Sequence, residues 1–514
     1  MTTKPQSQEE ILREIDATAD SVEQTKHLKK SFGRKEILAF TICTLVGVDS
    51  VGQIANQGPQ AITMLIFFSL FFFIPQSLLF AELGTAFPQE GGPYLWARLA
   101  FGRLAATINN MLYWVTNPVW FGGTLAVLGE TTYETFFNNG KQLNAFWFYV
   151  FTLAFIWIGT FATILSFKVG KYIPISGAYA RFVLLGIFVI GVIMYGFKYG
   201  VSGIHTSDLS INYAAFVGLT GILIFALCGF ELPNAAGDEM IDPKRDVPYS
   251  LIRAAIAGIL LYGIPIIGVL IVLPIDQVTS LGGFIDAIKT VFTVFGGNIS
   301  ADGVATLTGM GAFLGGFAAL LFILCTLSSG VAWIMGSDRA LAVSGYDGAA
   351  PRWLGAISEK HGTPVRVNIL SGLVASITLI AAHQISGGNL GKYFTVVLGI
   401  AVSTTVLSYL AIYPALWRLR VTHPDHPRPY KAPFGKIISA WLTCLVLFAG
   451  AQLLFPGIGA QWFGDSYRPE GWLQSEKWKF FLTEGIPLLV FVIVGILFWI
   501  SGKRTRDEKA YLGS

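Results

Sequence analysis

The sequence predicts an all-α polytopic membrane protein, and three observations carry that prediction. Of 514 residues, 53% are hydrophobic and only 13% charged, where soluble domains run near a quarter charged. Twelve stretches are apolar over the roughly 20 residues that a membrane-crossing helix needs: 37–57, 61–86, 104–136, 145–167, 174–198, 213–237, 249–274, 311–336, 366–386, 391–417, 436–456 and 480–501. With both termini placed in the cytoplasm, about 26 of the 35 Lys and Arg fall on the cytoplasmic side and about 7 on the other, the asymmetry of the positive-inside rule.

The elements follow in order. Residues 1–36 are polar and lack the apolar centre and cleavage site of a signal peptide, so they read as a cytoplasmic tail. Residues 37–198 hold spans one to five, 213–417 spans six to ten, 436–501 spans eleven and twelve, and 502–514 a cytoplasmic tail. No soluble domain remains, which excludes nucleic-acid binding and places the function within the lipid bilayer. Cys43, Cys228, Cys325 and Cys444 all lie in apolar stretches and read as packing residues rather than a disulfide framework.

Two spans are interrupted. "TLVGVDSVGQIANQGPQ", Thr44 to Gln60, puts Gly47, Asp49, Gly52, Gly58 and Pro59 into the first span. "FALCGFELPNAAGDEM", Phe225 to Met240, puts Gly229, Glu231, Pro233 and Gly237 into the sixth. A proline inside a helix removes a backbone hydrogen bond, and irregular backbone at membrane depth persists only where protein or a wet cavity satisfies the freed groups. A mid-span carboxylate costs roughly 2.5–3.5 kcal/mol on insertion scales. Glycine in one membrane helix usually serves close packing, but two breaks five spans apart, each with a carboxylate, form the pattern of an inverted repeat relating spans 1–5 to 6–10. Half-helix N-termini then offer N–H groups and opposing C-termini offer carbonyls, a geometry that suits a zwitterionic amino acid.

The stretch "FAELGTAFPQEGGPYLWARLAFGR", Phe80 to Arg103, resembles the loop after the second span in the amino acid–polyamine–organocation permeases, as do "CGFELPNAAGDEMIDPKRDVP" and "RPYKAPFG". The resemblance runs from about Gly33 to Gly502. It implies a leucine-transporter-type fold with a 5+5 inverted repeat and twelve transmembrane helices, and uptake or exchange of amino acids or amines across the plasma membrane by alternating access. It implies that a substrate carboxylate meets N–H groups at Gly47, Val48, Asp49, Ser50, Val51 and Gly52. The substrate amine would meet carbonyls at Leu227, Cys228, Gly229 and Phe230, with Phe230 as an aromatic gate and Glu231 beside it. Asp49 departs from the small residue usual there. Either it is protonated and the substrate is an amino acid, the main reading that the resemblance implies, or it recruits a cation such as a polyamine or another organic amine, the alternative.

In sodium-coupled relatives, paired hydroxyls on span eight help hold Na⁺, which makes Ser328 and Ser329 candidate sodium ligands. Sodium-independent relatives fill that space with a span-five lysine, and Gly186 aligns with it here. Na⁺ or H⁺ is therefore the coupling ion to consider, with Asp49 and Glu231 as proton carriers; no other cofactor is expected.

Trp114, Asn117 and Trp120 recur at i, i+3, i+6 in span three, and Asn117 either lines the pocket or bonds between helices. Ser403 and Thr404 invite the same pair of readings. Glu82 and Glu90 are expected to pair with Arg98 or Arg103. A membrane enzyme would need a nucleophile, base or metal set, and the six His form none. A solute sensor stands as the alternative of another class. The solute's identity and the oligomeric state are not written in the sequence.

Overall fold

The computed structural model describes residues 30–512 except 166, 202, 280–281, 301–302, 387–389, 465–466 and 470–471. Most of the expected N-terminal tail therefore lies outside the described residues. Each expected apolar stretch overlaps helix, with 46–49 of the first and 227–231 of the sixth outside it. The helices are α1 (Arg34–Leu45), α2 (Ser50–Ala55), α3 (Gln60–Ala86), α4 (Gly92–Phe101), α5 (Arg103–Trp120), α6 (Ala126–Phe137), α7 (Ala145–Ile164), α8 (Tyr172–Tyr199), α9 (Tyr213–Ala226), α10 (Pro243–Val272), α11 (Gly283–Phe292), α12 (Gly309–Tyr346), α13 (Val365–Ser386), α14 (Leu390–Thr422), α15 (Gly435–Leu454), α16 (Lys477–Ser501) and α17 (Lys503–Leu512).

Among the described residues, nine helices are long and apolar enough to cross a membrane, and α9 is a shorter apolar helix. The first expected span is not one helix but two, α1 and α2. The third is a helical run, α5 and α6, joined by a π-helical turn at Phe121–Leu125, and it carries Asn109, Asn110, Asn117 and Glu130 buried. Helix α12 continues ten residues past its expected end at 336, so "SDRALAVSGY" is buried helix rather than loop. The structure also departs from all-α in one place: Gly297–Ile299 and Ala305–Leu307 pair antiparallel, with Gly297 opposite Leu307.

Local sequence accounts for the helix ends. Asn144 Oδ1 accepts from Trp147 N at 3.1 Å and Asn212 Oδ1 from Ala215 N at 2.8 Å, capping α7 and α9. Glu36 accepts the Gly33 N–H at 2.8 Å and favours the start of α1. Leu, Ile and Phe side chains ring the outer faces of α7, α8, α12 and α16, as lipid contact requires. Helix α10 packs along α1 and α3, and α12 packs against α8, α5 and α6. The polar and broken elements thus sit inside a jacket of apolar ones.

Candidate functional site

Helix α1 ends at Leu45, where Val46 leaves helical geometry (φ −99°, ψ 85°), and α2 begins at Ser50. Helix α9 ends at Ala226, followed by an irregular stretch and a 3-10 segment, Leu232–Glu239, with Pro233 in its first turn. Gly229 adopts φ +122°, and a Cβ there would meet Trp333 Cζ2 at 3.1 Å and the Thr44 carbonyl oxygen at 3.2 Å. Only glycine suits both the dihedral and the approach.

The two breaks face each other. Thr44 Oγ1 donates to the Gly229 carbonyl at 3.2 Å, and Trp333 Nε1 donates to the Thr44 carbonyl at 3.0 Å. Tyr262 Oη on α10 accepts from Gly47 N at 2.8 Å and donates to the Ala226 carbonyl at 2.8 Å. A cavity of about 20 Å³, room for about one water, lies there, lined by Thr44, Gly47, Ser50, Asn117, Trp120, Phe225, Ala226, Tyr262 and Trp333.

Of the residues expected to bind substrate, Gly47, Ser50 and Asn117 lie on this wall. Asn117 Nδ2 donates to the Tyr113 carbonyl at 3.0 Å, while its buried Oδ1 has no partner among the described residues. Asp49 stands just behind the wall. Its Oδ2 accepts from Trp120 Nε1 at 3.1 Å, and its buried Oδ1 has no hydrogen-bond partner among the described residues. Because Gly47 has no side chain, three oxygens crowd the space a Cβ would take: Asp49 Oδ1 at 2.7 Å, Tyr262 Oη at 3.3 Å and Ser50 Oγ at 3.5 Å.

The remaining expected residues lie off the wall. Val48, Val51 and Gly52 are buried in packing. The Leu227 carbonyl accepts from Gln76 Nε2, and Cys228 Sγ donates to the Ile224 carbonyl at 2.8 Å. The expected gate, Phe230, packs on Phe73 with ring centroids 4.8 Å apart; Phe225, Trp120 and Trp333 provide the aromatic wall instead. Glu231 sits in a second buried cluster, where Oε1 accepts from Tyr113 Oη at 3.1 Å and Tyr409 Oη at 2.8 Å and Oε2 is unpartnered among the described residues.

At the oxygens expected to hold Na⁺, the structure places a residue that the alignment missed. Arg181 on α8, fully buried, donates from Nε to the Val46 carbonyl at 2.6 Å. Its Nη1 donates to the Gly177 carbonyl at 2.8 Å and to Ser328 Oγ at 3.2 Å, and its Nη2 to the Cys325 carbonyl at 2.9 Å and to Ser329 Oγ. A guanidinium therefore occupies the oxygens expected to hold Na⁺. Gly186, the aligned position, has open space around it; the cation lies one and a half helical turns earlier in the chain. A lone arginine inside an apolar span was the available signal, since such residues face the protein interior.

Acidic residues near the 3-10 segment also pair differently from expectation. Glu82 accepts from Arg420, from Arg428 Nε at 3.1 Å and from Ala432 N at 2.7 Å. Glu90 and Glu239 share Arg339 at 3.3 and 2.8 Å, and Arg98 and Arg103 both meet Asp347 at 3.1 Å. Trp114 turns from the cavity to Asp338 Oδ1 at 2.9 Å. Thr404 bonds Thr116 at 2.7 Å, an interhelical contact, and Ser403 lies 3.5 Å from the buried Glu484. Nothing in the sequence singled out Tyr262, Trp333 or Phe225, which look like ordinary core residues of apolar spans.

A sequence model of the amino acid permease family matches residues 32–466. The chain belongs to that family. It is 27% identical over 415 residues to an uncharacterised transporter of Legionella pneumophila, covering 79% of this chain and 85% of that one. It is 24% identical to a probable agmatine/putrescine antiporter of Lactococcus lactis, over 91% and 94% of the two chains. It is 22% identical to the glutamate/γ-aminobutyrate antiporter of the same organism, over 79% and 80%. This permease is thus a multi-pass membrane transporter and not an enzyme.

Proposed function

We propose that the permease is a secondary transporter that exchanges small organic amines across the plasma membrane by alternating access, with the substrate ammonium recruited by Asp49. One observation carries the reading: a buried carboxylate with an unpartnered oxygen stands at the first-span break, behind a wall of Trp120, Phe225, Tyr262 and Trp333. A cation gains both from the carboxylate and from aromatic faces, about 0.5–2 kcal/mol per well-placed ring. A substrate carboxylate on the same N–H groups meets repulsion. The agmatine/putrescine relative supports the amine reading.

The arrangement we assign is twelve spans with both termini cytoplasmic, spans 1–5 and 6–10 related as an inverted repeat. Coupling is to counter-substrate or protons, with Asp49 and Glu231 as the carriers, and Arg181 stands where a sodium ion would otherwise sit. The amino acid reading is the alternative favoured by the glutamate/γ-aminobutyrate relative.

Counterflow in proteoliposomes preloaded with putrescine, agmatine or amino acids, at two pH values, tests this. Wild type is expected to exchange amines, and Asp49→Asn to lose at least about tenfold, the order of one buried charge-assisted hydrogen bond. Amino acid exchange unaffected by Asp49→Asn would overturn the amine reading, and binding without any counterflow would make the protein a sensor.

A further inference from the structure

We infer that Tyr262 is the specificity-determining residue that turns α-amino acids away from this cavity. The inference rests on the amine reading and deepens it. An α-amino acid held between two unwound segments needs a donor for its carboxylate and an acceptor for its ammonium. On this wall, one donor is the Gly47 N–H and one acceptor is the Ala226 carbonyl, each lining the cavity from a different break. A single phenol already serves both. Tyr262 Oη takes the Gly47 N–H at 2.8 Å and gives its own hydrogen to Ala226 O at 2.8 Å.

The hydroxyl therefore makes the same pair of contacts, in the same sense, that a zwitterion would make. A hydroxyl has one hydrogen to give, and here that hydrogen is committed. The ring is fully buried on α10, which packs along α1, α3 and α8, so the phenol is held in place rather than free to swing aside. Asp49 completes the exclusion. Its Oδ1 lies 2.7 Å from the point where a Gly47 side chain would begin, with Tyr262 Oη 3.3 Å from that point. A carboxylate arriving at the Gly47 N–H meets the oxygens of Asp49, Tyr262 and Ser50, the first of them acidic, whereas an ammonium arriving there finds the Asp49 carboxyl as an acceptor.

Removing the hydroxyl while keeping the ring leaves the Gly47 N–H and the Ala226 carbonyl unpaired at the wall. Unmade hydrogen bonds of this kind decide selectivity more strongly than shape does. The test is the ratio of initial counterflow rates, alanine to putrescine, in wild type and in Tyr262→Phe, with ethylamine (alanine without its carboxylate) as the size control. Tyr262→Phe is expected to raise the alanine-to-putrescine ratio by about tenfold or more, the order of one to two backbone hydrogen bonds, while the ethylamine-to-putrescine ratio moves less than about twofold.

A wild type that prefers putrescine, with a Tyr262→Phe ratio unchanged, overturns the inference and leaves the amine reading standing. An equal rise for ethylamine also overturns it, because the cavity has then merely widened. A wild type that moves alanine as fast as putrescine ends the amine reading itself, and the inference with it. If Tyr262→Phe carries no flux, the melting temperature of the purified protein decides. Alanine is expected to raise it in Tyr262→Phe and in Tyr262→Leu but not in wild type, and no alanine shift in either variant overturns the inference.

Discussion

At the scale of single residues, Arg181 and Gly47 set the site. The Arg181 guanidinium gives the Val46 carbonyl, stranded by the end of α1, its donor at 2.6 Å. Arg181→Met should destabilise the protein by about 1–3 kcal/mol, the cost of a buried group left unsatisfied, read as a lowered melting temperature in detergent. Arg181→Ala leaves three carbonyls and two serine hydroxyls around a space, an oxygen set suited to a hard cation. Its melting temperature should rise in NaCl relative to KCl, whereas wild type should not respond. Gly47→Ala should weaken putrescine binding about tenfold or more, because the added methyl meets Asp49 Oδ1 at 2.7 Å and covers the unpartnered oxygen; equilibrium binding measures it. Asp49 was legible in the sequence because a carboxylate in an apolar run is costly. Arg181 carries the same signal, yet alignment to a lysine position pointed to Gly186, and only the helix packing shows which residue turns inward.

At the scale of elements, the helices were legible because each must bury or expose about 20 apolar residues in sequence, while their partners were not. Glu82 lies 338 residues from Arg420 and 346 from Arg428, so no local pattern could pair them. The loop after α14 straps onto the end of α3. His426 Nε2 meets the Ala86 carbonyl at 2.7 Å, and its ring stacks on Phe87 at 4.5 Å. Facing it are Arg428, which donates to the His426 carbonyl, the Glu82–Arg420 pair, and His423 with its Thr422 partner. Burial first, and Arg428 second, pull the His426 imidazole below its ordinary range. A lowered base binds fewer protons folded than unfolded, so its share of stability is present above about pH 6.5 and is lost as pH falls through that value. The melting temperature should therefore drop between pH 7.5 and 5.5. His426→Phe, which keeps the stack and cannot titrate, should flatten that drop.

At the scale of the whole molecule, α12 links the cavity to a buried ion-pair seam. Along one helix, Ser328 and Ser329 meet Arg181, Trp333 meets the Thr44 carbonyl, and Arg339 sits between Glu90 and Glu239. The same end is sealed by Ser31 N and Phe32 N, both donating to the Glu239 carbonyl at 3.0 Å, and by Lys171 on Glu36 at 2.8 Å. Burial, and then Glu239, push the Glu90 carboxyl well above its usual range, with Arg339 opposing them. Without that guanidinium, the two buried carboxyls of the seam lose the cation that joins them, and each ionises only where water reaches it, which opening supplies. Arg339→Gln should therefore bias the population toward a state open at this end, which the proposed topology makes cytoplasmic. The measurement is the reaction of an impermeant maleimide, added from the cytoplasmic face, with Ala226→Cys on the cavity wall, quantified at that residue by mass spectrometry. The rate should rise severalfold in the Arg339→Gln background and fall back when Glu239→Gln leaves one ionisable carboxyl in the seam. Equal rates in all three proteins would mean that the ion-pair seam does not hold the cavity shut, and that closure resides in the backbone pairing of Phe32 with Met240 instead.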